Sequence, residues 1–179
     1  MIVMMAGLPG VGKSTLSRAL ASRLPGAVLD KDEVRAALFR PPYTEYSQQQ
    51  DDFCQDIMLQ TCGYLLAKNG KVNILLDGRT FSRNYQRERV LAFCRQVNAN
   101  WAVLECVCAE QTALKRLADA TTQGAHLAAN RTVDLYLRIR DSWEPIENPK
   151  LIVDTDQELE VCVDQCLQYL TEQMNPTKP

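Results

Sequence analysis

The chain predicts an α/β fold, a five-stranded, mostly parallel sheet with helices on both faces, and three observations predict it. Short apolar runs alternate with helical patterns along the sequence, as a parallel sheet covered on both faces requires. The first run, Ile2 to Met5, passes directly into a glycine-rich turn, Gly7-Leu-Pro-Gly10-Val11-Gly12-Lys13-Ser14-Thr15. Another run closes on an acid, Asp77, where a strand would give way to a loop. In such sheets the crossovers are right-handed and ligands bind beyond the carboxyl ends of the strands.

Each element has its own signal. Met1 to Met5 has the length and flanks of a buried strand, and Lys13 to Arg23 is a helix closed by Pro25-Gly26. Ala27 to Leu29 is a second strand. Asp32 to Phe39 makes a turn or two of helix before Pro41-Pro42 forces an extended break. From Ser47 to Asn69, Phe53, Ile57, Thr61 and Leu65 recur at steps of four on one face, with Gly70 in the C′ position, which predicts a long amphipathic helix. Val72 to Leu76 is a third strand, and Ser82 to Val97 a helix with Ser82 as cap. Ala102 to Val107 is a fourth strand and Glu110 to Ala118 a helix. Asp119 to Asn130 is polar and irregular, a candidate lid, after which Thr132 to Arg140 resumes a helical pattern. Leu151 to Val153 is a fifth strand, and Asp156 to Met174 a last helix with Leu159, Val163, Cys166 or Leu167 and Leu170 facing inward; Asn175 to Pro179 is expected to fray.

At 179 residues and 46% apolar composition, one domain over 1–179, with a lid at 119–130, accounts for the whole sequence. A net charge of -2 argues against general nucleic-acid binding or a membrane surface, and favours a small partner. Seven cysteines form no CxxC pair and sit mostly in apolar periodic segments, so they read as reduced core residues. A single histidine, His126, offers no imidazole cluster for zinc, and it reads as an exposed polar residue. With no signal-peptide pattern and no transmembrane run, the expected location is cytoplasmic.

The turn after the first strand carries the strongest chemical signal. Gly7-x-x-x-x-Gly12-Lys13-Ser14 is the P-loop, or Walker A, spacing. Gly7 permits the turn out of the strand, and Gly10 and Gly12 bring bare backbone close to phosphate oxygens. Pro9 has no N–H, so the amide cradle runs from Gly10 through Val11, Gly12, Lys13, Ser14 and Thr15. These amides open a helix whose positive end favours an anion. Lys13 supplies a charge for the β and γ phosphates of ATP, and the Ser14 hydroxyl a ligand for magnesium. Asp77, ending an apolar strand, suits the second metal-supporting position.

Just past the second strand stands Asp30-Lys-Asp32-Glu-Val-Arg35. Asp30 reads as a helix cap. Asp32 and Arg35 lie one turn apart on one face, where a carboxylate can accept a proton from an attacking hydroxyl while a guanidinium grips the acceptor. Arg79, Arg83 and Arg87 follow at steps of four, the default for a solvated helix face; Arg79 and Arg83 are nonetheless candidates for holding an acidic group on the acceptor. Trp101 and Trp143 read as packing residues.

Taken together, GLPGVGKST, DKDEVR and NILLDGRTFSRNYQRERV resemble the P-loop kinases of small molecules and polynucleotide 5′-ends, a group with an AAA-type ATP-binding domain. The resemblance spans most of the chain, including the closing LIVDT strand. It implies that Asp32 acts as base, that Arg35 contacts the acceptor, and that Asp77 supports magnesium. Lids of this family carry two arginines a turn apart; Arg116 matches the first, the second falls at Ala120, and Arg131 would have to replace it. The expectation is an ATP- and Mg2+-dependent phosphotransferase acting on a hydroxyl of a small metabolite, nucleotide or oligonucleotide end. The catalytic set is Lys13, Asp32, Arg35 and Arg116. The alternatives are a nucleotide-binding switch without an acceptor, and a nucleoside monophosphate or adenylylsulfate kinase.

Overall fold

The computed structural model describes residues 1–122 and 132–174. In chain order the elements are β1 (Ile2–Ala6), α1 (Lys13–Arg23), β2 (Gly26–Asp30), α2 (Lys31–Leu38), α3 (Gln48–Lys68), β3 (Asn73–Asp77), α4 (Asn84–Val97), β4 (Trp101–Val107), α5 (Glu110–Thr122), α6 (Val133–Asp141), β5 (Leu151–Asp154) and α7 (Leu159–Met174). The strands form one sheet in the order β2-β3-β1-β4-β5, and all four pairings are parallel.

β1 lies at the centre because it can be buried on both sides. All five of its residues are buried, and their alternation feeds two cores. Val3 and Met5 pack on one face with Leu16, Leu20, Leu104 and Leu170, beneath α1 and α7. Ile2 and Met4 pack on the other with Met58, Cys62, Leu76 and Val90, beneath α3 and α4. Each such buried aliphatic side chain contributes about 1.5–3 kcal/mol, and a slip of one residue would exchange the two sets. The register therefore fixes where β1 ends. It also sets Asp30 at the end of β2 directly opposite Asp77 at the end of β3.

Several sequence expectations need correction. The buried face of α3 is Cys54, Met58 and Cys62, one position on from the predicted face, and Phe53 is 50% exposed. Stronger apolar character at Phe53 and Ile57 pointed the wrong way; Phe53 instead meets the edge of Phe39, with ring centroids 5.8 Å apart. Ser82 does not cap α4. The helix starts at Asn84, the Gln86 side chain accepts from the Arg83 N–H at 3.3 Å, and the Glu144 carboxylate, from a distant loop, accepts from the Asn84 N–H. α5 continues through Asp119 to Thr122, beyond its expected end. α7 begins at Leu159, which is 41% exposed; Cys162 joins Val163, Cys166 and Leu170 inside. The arginine run is not a solvated face: Arg79 precedes the helix and is buried, and Arg87 is buried with bonds to the carbonyls of Phe81 and Pro145.

The expectations for His126, Arg131, most of the 119–130 lid and the frayed 175–179 tail lie outside the described residues. All seven cysteines are free, and six are buried. Burial pushes the thiols of Cys62, Cys106 and Cys166 up to about 12, so they remain protonated packing groups at neutral pH. Among the described residues, no helix is long and apolar enough to cross a membrane.

Candidate active site

The turn leaving β1 presses against β4. Gly7 has φ +139°, and a β carbon there would stand 2.4 Å from the Cys106 carbonyl oxygen, so no other residue fits without moving the sheet. The turn then runs into α1, whose start lacks two features that α2, α3 and α6 have. Its N-cap, Gly12, makes no side-chain cap, and its first turn contains no acid. By contrast α2, α3 and α6 are capped by Asp30, Ser47 and Thr132, and each carries an acid in its first turn. An 11-residue helix left in this way offers its first amides and the positive end of its dipole to an anion. Lys13 reaches back over the loop, donating to the carbonyls of Gly7 at 2.8 Å and Leu8 at 2.7 Å.

Asp77 is buried at the end of β3. One carboxylate oxygen accepts from the Ser17 hydroxyl at 2.9 Å, the other from the Gly78 N–H at 2.7 Å. The same Ser17 hydroxyl lies 3.2 Å from the Ser14 carbonyl, so one turn of α1 holds the acid. Among the described residues, no group of three or more Asp, Glu, His or Cys side chains gathers to hold a metal alone. A hydroxyl at Ser14 and a carboxylate at Asp77 fit magnesium, which binds through substrate phosphates and water with few protein ligands.

Across the P-loop, Lys13 and Asp32 line one cavity of about 120 Å³, with Lys31, Asp51, Arg79 and Tyr46 also on its wall. α2 sets Asp32 in place because Asp30, its N-cap, accepts from the Asp32 N–H at 2.7 Å. Two cations then hold the Asp32 carboxylate: Arg35 at 2.8 Å and Lys31 at 3.2 Å. Asp51, from the first turn of α3, grips both cations from the other side, accepting from Lys31 at 2.8 Å and from Arg35. Arg79 is held likewise by Asp52, by the Asp51 carbonyl at 3.1 Å and by the Tyr85 hydroxyl at 3.1 Å. Burial lowers the Lys31 pKa to about 8, against the opposing pull of Asp32. Among the described residues, the Nε atoms of Arg35 and Arg79 are buried and have no hydrogen-bond partner.

Arg116 stands elsewhere. It lines a separate cleft of about 300 Å³ beside Gly12 and Thr15, and donates to the Thr155 hydroxyl at 3.2 Å and carbonyl at 3.0 Å. Thr155 in turn donates to the Val11 carbonyl at 2.7 Å, tying the loop after β5 to the P-loop. Of the expected residues, Lys13, Asp32, Arg35 and Arg79 are thus brought together, and Arg116 lines a different cleft that includes Gly12. Arg83 pairs with Glu144 at 3.1 Å and does not line the cavity. Asp51, Asp52, Tyr46, Thr155 and Gln157 were missed, as were Leu135 and Ile139 of α6, which close the small cavity. Only the Asp51-Asp52 doublet carried a signal, and acids opening a helix ordinarily just complement its dipole.

A central β1, an uncapped helix behind its glycine turn and an acid closing the adjacent strand define a P-loop nucleotide-binding protein with the fold of the P-loop kinases. The chain belongs to an AAA domain family, whose model matches residues 2–142. It is 23% identical over 106 residues to an L-seryl-tRNA(Sec) kinase from Methanococcus maripaludis, a match spanning 58% of this chain and 40% of that relative. Among solved structures, a candidate kinase from Chloroflexus aurantiacus superposes with TM-score 0.72 at 23% identity, over 93% of this chain and 96% of the other. The APS kinase of Mycobacterium tuberculosis, solved with AMPPNP and APS, superposes with TM-score 0.65 at 16% identity, over 95% and 96%.

Proposed function

We propose that the protein transfers the γ-phosphoryl group of ATP to a hydroxyl of a small metabolite, a nucleotide or an oligonucleotide end. The observation that carries this reading is that Asp32 and Lys13 line one cavity, so a carboxylate stands across from the group that would hold the transferring phosphate. The P-loop amides and Lys13 bind the β and γ phosphates, Lys13 exchanging its two loop carbonyls for phosphate oxygens. A magnesium ion supported by Ser14 and Asp77 would offset the charge of the phosphates. The base of ATP lies in the cleft between Arg116 and Gln157. Asp32 orients the acceptor and takes its hydroxyl proton as the oxygen bonds to the γ phosphorus and the bond to the β–γ bridging oxygen breaks, releasing ADP.

Arg35 and Lys31 fix the Asp32 carboxylate, and Asp51 fixes both of them, so Asp51 is a positioning residue one step removed from the chemistry. A cytoplasmic setting suits this reading, since seven free cysteines stay reduced there. The test is ADP release by purified protein against a broad panel of alcohols, with Lys13→Ala as control. Acceptor-dependent ADP release that the control lacks supports the reading. ATP binding with no such release leaves a nucleotide switch instead.

A further inference from the structure

The cavity shared by Lys13 and Asp32, at about 120 Å³, is the smaller of two spaces beside Asp32 and admits a hydroxymethyl arm. A second cleft, of about 440 Å³, adjoins it and shares two residues with it, Asp32 and Tyr46. Its walls are of a different kind. Phe39, Pro41, Pro42 and Tyr46 give it flat apolar faces, while Arg35 and Arg40 supply charge. A polyol would call for many neutral hydrogen-bonding side chains, and of these the cleft has Thr44 and the Tyr46 hydroxyl. Aromatic faces beside arginines are the surface on which nucleic-acid bases stack.

A further observation favours a ligand here. Tyr46 is held in place by the Arg35 guanidinium, 5.3 Å from its ring centroid, so the ring is pre-positioned at the junction of the two chambers. The geometry points to a two-chamber acceptor site for a nucleoside 5′-end, the 5′-hydroxymethyl group entering beside Asp32 and the base lying in the outer cleft against Tyr46 and Phe39. Tyr46 is the specificity-determining residue. This inference rests on Asp32 receiving the acceptor hydroxyl, as proposed above.

The experiment compares alcohols that share one sugar and differ by the base: methyl 2-deoxyriboside, thymidine, and a 5′-hydroxyl thymidine dinucleotide. Binding is measured by calorimetry with the P-loop saturated by AMPPNP and Mg2+, and turnover by ADP release with ATP. Stacking of one base against an aromatic ring gives the expectation that thymidine binds at least about tenfold tighter than the riboside. Tyr46→Ala should erase that difference by raising the thymidine KM with little change in kcat, and Tyr46→Phe should keep it. The dinucleotide should gain further, and lose that gain in Arg40→Met. Equal binding of riboside and thymidine, or a difference that survives Tyr46→Ala, overturns the inference. Turnover of base-free alcohols alone also overturns it while leaving the phosphotransferase reading intact. Tyr46-dependent binding without turnover supports the cleft and removes the phosphotransferase reading.

Discussion

Two helices begin at the carboxyl end of the sheet, after strands that flank β3, and they begin in opposite ways. α1 follows β1 through a glycine turn, has no side-chain cap and no first-turn acid. α2 follows β2 with no turn at all, is capped by Asp30, and carries Asp32 and Glu33 in its first turn. The same dipole is therefore left open in one helix and answered by carboxylates in the next. The difference teaches how a sheet edge can hold both partners of a group transfer. In the phosphotransfer reading proposed above, the first helix start would attract polyphosphate and the second would present a proton acceptor to it.

The largest effect should come from removing one side of this contrast outright. Lys13→Ala is expected to lower phosphotransfer by about 10²–10³-fold or more, and Asp32→Asn by about 10²–10⁴-fold, through different parameters. Calorimetry separates them: Asp32→Asn should leave ATP affinity within about twofold, whereas Lys13→Ala should weaken it. Equal loss of ATP affinity in both would mean that the two helix starts serve one ligand.

The contrast can also be erased by making α1 resemble α2. Thr15 is exposed in the first turn of α1. Thr15→Asp should stabilise the unliganded protein by about 0.3–1 kcal/mol through the dipole. It should also weaken ATP by about tenfold or more, since a charge then lies close to the phosphates. Thermal melts with and without ATP read both signs at once.

Asp51→Asn tests the clamp behind Asp32 and should lower kcat by about tenfold, with a marked pH signature. Lys31 keeps its charge, and so its hold on Asp32, only below about pH 8, so wild-type activity should fall as pH rises through that value. The groups facing Lys31 are Asp32 and Arg35 of α2, Asp51 of α3, and Arg79. Without the Asp51 carboxylate the lysine deprotonates sooner, and the basic limb should move to lower pH. Stability runs the other way. The folded pKa lies below the ordinary 10.5, so the unfolded chain binds more protons between about 8 and 10.5, and the Lys31 contribution to stability improves across that window. Ser17→Ala lies furthest from the contrast and acts on stability alone: it removes one hydrogen bond to the buried Asp77 and should cost about 1.5–3 kcal/mol, measured by denaturant unfolding.

Much of this was legible because local chemistry wrote it. The P-loop needs three glycines and a lysine at fixed spacing, and α1 came out at its expected bounds, Lys13–Arg23. The alternation of strand and helix fixed the layers, and Asp32 with Arg35 could be paired on one helix face from their spacing alone. What stayed hidden depends on contacts between distant segments. Asp51 meets Lys31 and Arg35 across 20 and 16 residues of chain, and Glu144 caps a helix 60 residues away. The buried face of α3 was misread because its inward residues are cysteines and methionine, whereas the larger Phe53 found a neighbour in Phe39 outside the core. Arg116 lacked a visible partner in sequence because Thr155 arrives only with the fifth strand.

α6 is braced in its middle as well as at its end. Tyr136 is 3% exposed and joins the core with Leu16, Leu20 and Leu104, and Leu137 packs beside it. Arg140, at its last turn, reaches Glu110 at 3.0 Å, and just beyond it Glu144 bonds to Ser82, Arg83 and Asn84. Leu135 and Ile139 therefore stand on a buttressed wall of the small cavity.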